Sequence, residues 1–410
     1  MIILHICDWY TPIGGAEKLL FDTLAALEDQ GHTNIVVYND HADQRPSGLR
    51  TEYAVAALEF FVYFQPGIVT LSKQSIPRLK EIIRKHKPDV CHIHNFQNPF
   101  VTEFLMETLP CVRSIHDPRL YCFTNWRLLP DKSVCPHAMG PECVRQGCLS
   151  SSSVPKTDFD KNAPWVLKHH ELHKRMPVLI CESRAQIDCM MQNGFKPEQI
   201  AWLPNFTPLQ PVSEVRAFTR KHFDVSERMV LFVGRASHEK GIHVLIEACK
   251  YLTCDCKVVI ITVGPLLDQI REQAAALSDR IEVIPGLPYE QTREYYARAA
   301  IVVIPSVWLE NFCLVGLETH ACMKPVIGSR IGGIPDWLED GKTGWLFNPG
   351  DPQDLATKID RAFEDTARLK KMGEEAYQRI MTYYNKDLYT ARLEKIYELG
   401  MKRFELHWAR

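Results

Sequence analysis

The sequence predicts an α/β protein made of two doubly wound parallel-sheet domains. Three observations carry this: short continuous apolar runs, amphipathic helical stretches that alternate with them, and a restart of the same rhythm in the second half of the chain. At 410 residues the chain exceeds one ordinary core and suits two domains of about 200 residues each.

The elements follow in order. Ile2–Cys7 reads as a strand, a Gly14-Gly15 loop follows, and Ala16–Gln30 reads as a helix. Ile35–Tyr38 is a second strand, and Ile76–His86 has helical apolar spacing with a basic face (Arg78, Lys80, Arg84, Lys85). Val90–His94 and Cys111–Ile115 are further apolar runs. The rhythm restarts at Met229–Val233 and continues through Val258–Val263, Ile281–Ile284, Ile301–Ile304 and Pro325–Gly328. Leu203–Val215, with three prolines, is the expected linker. The domains are thus expected at 1–206, with a Cys-rich insertion at about 121–161, and at 207–386. Residues 387–410 are expected to form a helix crossing back onto the first domain.

Hydrophobic residues make up 46% and charged residues 24%, the balance of a soluble globular protein. Lys plus Arg at 48 against Asp plus Glu at 50 leaves no basic excess for nucleic acid. The start Met1-Ile2-Ile3-Leu4 lacks a charged leader region, and no stretch approaches the roughly 18 apolar residues of a membrane span. The expected location is cytoplasmic. The basic helix Arg78–Lys87 and the segment Trp165–Arg175 read first as solvated helix faces, with peripheral contact at the inner membrane face as the other reading of both. In that compartment the fourteen cysteines are thiols or metal ligands rather than disulfides, with Cys181, Cys249 and Cys322 read as core.

Four motifs carry chemistry. Glu310-Asn311-Phe312-Cys313-Leu314-Val315-Gly316-Leu317-Glu318 follows an apolar strand. A helix starting near Asn311 would offer free amides to an anion, and eight helical residues would set the two acids about 12 Å apart. Gly234-Arg235-Ala236-Ser237-His238-Glu239-Lys240-Gly241 places a guanidinium fork and an ammonium at a strand's carboxyl end, where they suit diphosphate oxygens. Gly14 and Gly15 let the backbone approach a ligand. His116, at a strand tip, can exchange a proton with a sugar hydroxyl. Each has a bland alternative: a surface acid, a solvated basic loop, a tight turn, a structural histidine.

Taken together, and with Gly332-Gly333-Ile334-Pro335-Asp336 and Gly341-Lys342-Thr343-Gly344-Trp345-Leu346, these motifs resemble the family 4 retaining glycosyltransferases. The resemblance implies the GT-B fold, two Rossmann-like domains facing a central cleft. It implies transfer of a hexose-type sugar from a UDP- or GDP-type donor to a carbohydrate or lipid-linked acceptor in cell-surface polysaccharide or glycolipid synthesis. Arg235 and Lys240 would hold the diphosphate without a metal cofactor. Glu310 with the backbone of Asn311, Phe312, Cys313 and Leu314 would hold the sugar. Glu318 would take the ribose, and Leu287 would lie at the base. Gly14 and Gly15 would close on the phosphate, and His116 would lie near the reacting centre. Many members carry Pro and Gly after the first acid, where this chain has Asn311, Phe312 and Cys313. Other readings are a non-catalytic nucleotide-sugar-binding protein, a nucleotide-sugar epimerase, or a phosphorylase, which would need pyridoxal phosphate on a lysine.

Within the insertion, Cys122, Cys135, Cys143 and Cys148 fall close together, with 12, 7 and 4 residues between successive cysteines. Four thiolates can form a closed tetrahedral zinc site of structural role. The spacing lacks paired C-x2-C steps, and free thiols in a loop are the alternative.

Overall fold

The computed structural model describes residues 1–11, 14–39, 52–55, 68–124, 126–148, 156–222 and 227–408. Pro12, Ile13, Asn125 and 149–155, which belong to the glycine loop and the insertion, lie outside the described residues. The chain divides into two compact units, Met1–Asn205 with Lys386–Arg410, and Phe206–Asn385.

The first unit holds a seven-stranded sheet of order β3-β2-β1-β4-β5-β6-β7. Its strands are β1 (Ile2–Cys7), β2 (Thr33–Asn39), β3 (Glu52–Val55), β4 (Val90–Ile93), β5 (Cys111–Ile115), β6 (Val178–Cys181) and β7 (Ile200–Trp202). The second unit holds a six-stranded sheet of order β10-β9-β8-β11-β12-β13. Its strands are β8 (Met229–Arg235), β9 (Lys257–Val263), β10 (Ile281–Pro285), β11 (Ile301–Ile304), β12 (Val326–Ser329) and β13 (Gly344–Phe347). Every pairing is parallel. β1, β4, β5, β11 and β12 are buried along almost their whole length, so they do not alternate apolar with polar, although β1, β4 and β5 carry the buried polar residues His5, His92, Arg113 and Ser114.

Helices cover the sheets by the usual amphipathic pattern. Pro352–Glu364 buries Leu355, Ala356, Ile359, Ala362 and Phe363, and Asp351 caps it through Gln353 N and Asp354 N. In each sheet the strand order reverses beside the first strand, between β1 and β4 and between β8 and β11. That reversal opens a crevice at the carboxyl ends of the strands, where open α/β sheets bind ligands.

Two local expectations are corrected. The helix expected from Ile76 begins at Ile68 and runs through Pro77 to His86. A proline inside a helix removes one amide bond, which bends a helix more often than it ends one of this length. The expected linker contains the start of a helix, Val212–His222, because Pro211 stands just before it and its carbonyl accepts from Glu214 N and Val215 N.

The helix Lys386–Trp408 packs on the first unit's sheet. Tyr397 Oη lies 2.8 Å from His92 Nδ1, Arg403 Nη1 donates to the Pro177 carbonyl at 2.7 Å, and Glu394 Oε1 lies 2.7 Å from His32 Nε2. Gly400 sits so close to Val112 that an added Cβ would come within 2.8 Å of its Cγ1.

Candidate active site

In the second unit the charged residues gather at the reversal point. β8 ends at Arg235, and the loop after β11 carries Ser306 and Glu310. Because β8 and β11 are neighbours, Lys240 and Glu310 meet although 70 residues separate them. Lys240 Nζ donates to Glu310 Oε1 at 2.7 Å, and Ser306 Oγ donates to the same oxygen at 2.7 Å. The Glu310 side chain is 5% exposed and that of Lys240 26%. Burial works against the Lys240 charge, but Glu310 outweighs it and holds the ammonium above its ordinary range. The ammonium also lies 5.4 Å from the Trp308 ring. Arg235 pairs separately, through Nη2 to Glu239 Oε1 at 2.5 Å, an oxygen that Ser237 Oγ also serves. Both cations thus stand at the strand ends with acids already beside them.

The expected helix from Asn311 is corrected to Leu314–Ala321. Cys313 has φ 74° and ψ 82°, a left-handed geometry that stops helical winding ahead of Leu314. Residues 310–313 are a loop instead, so the 12 Å helical spacing between Glu310 and Glu318 does not apply. The loop is tied down by its neighbours. Gly333 N donates to Glu310 O at 2.7 Å, and Trp337 Nε1 donates to Phe312 O at 2.6 Å. Gly332, at φ 56°, packs so tightly on the Glu310 backbone that a Cβ would collide with it. Gly241, at φ 70°, does the same against the Pro305 carbonyl, and Val307 N donates to Glu239 O at 3.0 Å. The glycine motifs therefore lock the Arg235 and Glu310 loops together.

The other donor-side candidates fall into two kinds. Phe312 is buried in the apolar core, so only its backbone can serve a ligand. Asn311, Cys313, Leu314, Leu287 and Glu318 are half-buried. Burial first, and then Glu310, push the Cys313 thiol up to about 12, so it stands neutral.

In the first unit, Gly14 is extended (φ −157°) and opens the helix Gly15–Asp29. Amides at that end face no helical partner and suit an anion. His116 follows β5, and its Nδ1 lies 2.6 Å from Glu182 Oε1, both side chains under a tenth exposed. The strand register explains the contact: Ile115 pairs with Cys181, so His116 and Glu182 are the next residues along adjacent strands. The carboxylate orients the ring through Nδ1. Behind His116 stands a buried row, His94 stacked on it at 5.8 Å between centroids, then His5, whose Nδ1 is 3.1 Å from His94 Nε2. Burial depresses His5 to about 4, and burial with neighbouring histidines carries His92 and His94 well below their ordinary value. Ligand nitrogens of His5, His92 and His94 all lie within 4.8 Å of one another. Asn34, Tyr397 and Ser114 already occupy three of these nitrogens, which fits a hydrogen-bonded core better than a metal site.

Sequence reasoning missed Glu182, Ser306 and Glu239. The first two follow apolar strands at the same carboxyl edge as the chosen residues, which is the signal that would have found them.

Cys122, Cys135, Cys143 and Cys148 line one cavity of about 10 Å³. All four are free thiols. Burial first, and then Cys143, Cys135 and Cys122, push the Cys148 thiol up to about 11. The sulfurs are not drawn into a closed cluster: among the described residues, the three histidines are the one group of three or more such side chains whose ligand atoms all lie within 4.8 Å of one another.

Residues 13–210 match the family described as Glycosyltransferase Family 4, and residues 216–379 match Glycosyl transferases group 1. An uncharacterized glycosyltransferase of Methanocaldococcus jannaschii is 30% identical over 337 residues, 78% of each chain. Among solved structures, the sucrose-phosphate synthase of Thermosynechococcus elongatus superposes with a TM-score of 0.74 at 18% identity, covering 100% of each chain. Anabaena HepE, solved in complex with UDP-glucose, does so with a TM-score of 0.67 at 19% identity, covering 97% of this chain and 99% of its own. The chain therefore belongs to the group 1, family 4 glycosyltransferases, and it is a glycosyltransferase of the GT-B fold.

Proposed function

We propose that this glycosyltransferase moves a hexose-type sugar from a UDP- or GDP-type donor, with retention of anomeric configuration and without a metal cofactor. The acceptor is a carbohydrate or lipid-linked sugar of cell-surface polysaccharide or glycolipid synthesis. The observation that carries this reading is the Lys240–Glu310–Ser306 assembly at the β8/β11 reversal, with Arg235 at the tip of β8. Before a donor arrives, Glu310 keeps the ammonium poised at the strand ends. A diphosphate then competes for Lys240 and Arg235, while Ser306 continues to hold Glu310 for a sugar hydroxyl. The two cations stabilise the leaving phosphate, the role a divalent metal fills elsewhere. Gly14 and Gly15 would add backbone amides for the phosphates. The Phe312–Leu314 backbone would serve the sugar, Glu318 the ribose and Leu287 the base. His116, oriented by Glu182, would lie near the reacting centre and exchange a proton with a sugar hydroxyl. HepE's complex with UDP-glucose supports a nucleotide sugar as the donor class.

No helix among the described residues is long and apolar enough to cross a membrane. Peripheral attachment at the cytoplasmic face would use the helix Ile68–His86, where Arg78, Lys80, Arg84 and Lys85 are exposed.

Thermal shift with UDP-, GDP- and ADP-sugars identifies the donor, and NMR of the product's anomeric centre reads the stereochemistry. Full turnover in EDTA is expected, and an absolute need for Mg²⁺ or Mn²⁺ would overturn the metal-free reading. Sedimentation with anionic vesicles at low and physiological salt, beside transfer assays on lipid-linked and soluble acceptors, tests the acceptor. Efficient transfer to a small soluble acceptor without vesicle binding would remove the lipid-linked assignment.

A further inference from the structure

We infer that Cys122, Cys135, Cys143 and Cys148 together bind one Zn²⁺ as a structural site that holds the segment following His116. The first ground is convergence, since residues spread over 27 positions all line one cavity that admits a single small occupant. The second is the segment's lack of a core. Among the described residues from Cys122 to Cys148, only Arg127, Cys135 and Cys148 are buried. Two thiols and a guanidinium cannot supply the apolar burial that fixes a loop-rich module, and small modules of this kind are held by metals or disulfides. Its regular structure is slight, a bridge between Leu128 and Val134 and the short helix Pro141–Arg145.

The third ground is charge. Arg127 is 3% exposed and lines the same cavity. Its Nη1 donates to the His137 carbonyl at 2.5 Å and its Nη2 to Gln192 Oε1 at 3.0 Å, both neutral partners. Its Nε is buried without a hydrogen-bond partner, and no ion pair to a carboxylate joins it among the described residues. A buried cation without a counter-charge is costly. Four thiols that take up Zn²⁺ release four protons and leave a centre of net charge −2, the anion that Arg127 lacks. Four sulfurs around one small space favour Zn²⁺ over hard cations, which prefer oxygen. The ion would draw the sulfurs inward from their present spacing, closing the segment six residues beyond His116.

The test uses the full chain purified under reducing conditions without added metal. Elemental analysis is expected to find one zinc per chain, and Cys143→Ser and Cys148→Ser should lose it while Cys249→Ser keeps it. If the cysteine variants do not fold, the native protein decides. Titration with an organomercurial should release the zinc, and removal should expose Lys132 and Arg145 to trypsin, with added Zn²⁺ restoring protection. Expression in cobalt should give the thiolate charge-transfer absorption of a tetrahedral site. Folded protein without zinc, with all four thiols open to alkylation and unchanged trypsin resistance, would overturn the inference. Stoichiometric iron, or disulfides between these cysteines, would overturn it equally.

Discussion

Replacing Lys240 with Ala separates the two tasks assigned to it, neutralising the donor and neutralising Glu310. Removal leaves a carboxylate that is 5% exposed with Ser306 as its one remaining hydrogen-bond donor among the described contacts. The cost lies between that of a surface pair and that of a fully buried one, roughly 2–3 kcal/mol, since Lys240 itself is a quarter exposed. For a unit of this size that lowers the unfolding midpoint by about 5–10 °C. Adding Glu310→Gln removes the stranded charge while an amide can keep the Ser306 contact, so the double variant should regain about half of the loss. Transfer should not return: it should stay down by about 10²–10³-fold, because the leaving phosphate still lacks its ammonium. The assays are calorimetry of the four proteins in the cycle and initial rates at saturating donor. A Lys240→Ala protein as stable as the parent, or a double variant that regains activity along with stability, would refute this reasoning. The raised Lys240 pKa also sets a direction. Its stabilising contribution is complete below the ordinary value of 10.5 and fades as pH climbs through the higher folded value.

Other outcomes follow from the same geometry. Glu182→Gln should lower turnover by about 10²-fold and reshape its pH profile while leaving the protein folded, as judged by kinetics and circular dichroism, because His116 loses the anion that orients it. Gly241→Ala should cost about 3 kcal/mol or more in a urea titration, since it forces a Cβ into the Pro305 carbonyl at φ 70°. Gly31→Ala, at φ 82° with open space around it, should cost only roughly 1–2 kcal/mol. Stability should also fall as pH drops from 6.5 toward 4. His5 is held neutral to about 4, so the unfolded chain binds more protons across that window, worth about 2 kcal/mol by pH 5. Urea midpoints at pH 7 and pH 5 check this, and His5→Gln should lessen the difference by the share of His5 while His92 and His94 keep theirs.

The fold was legible because buried parallel strands leave mostly apolar runs, unbroken in β11 and in the first five residues of β8, and interrupted only by a buried histidine in β1 and in β4. Short strands such as β3 and β7 leave little pattern, and the helix through Pro77 disguised its own start. At the site, residue types at strand ends could be read but their pairing could not. Lys240 meets Glu310, and His116 meets Glu182, only once strand order and register are known. Cys313 shows the limit most clearly. A left-handed turn is signalled by glycine, and here a cysteine adopts it, so the helix start was placed three residues early.

The return of Lys386–Trp408 to the first unit bears on how the chain is made. Ribosomal synthesis is vectorial, so residues 1–205 emerge and must wait for the final helix before His92 can reach Tyr397 or Pro177 can reach Arg403. The second unit is meanwhile free to fold first, as a self-contained insert in an unfinished host. A fragment ending at Asn205 should therefore be a poor folder by itself. A synthetic peptide spanning the final helix, supplied in trans, should rescue it.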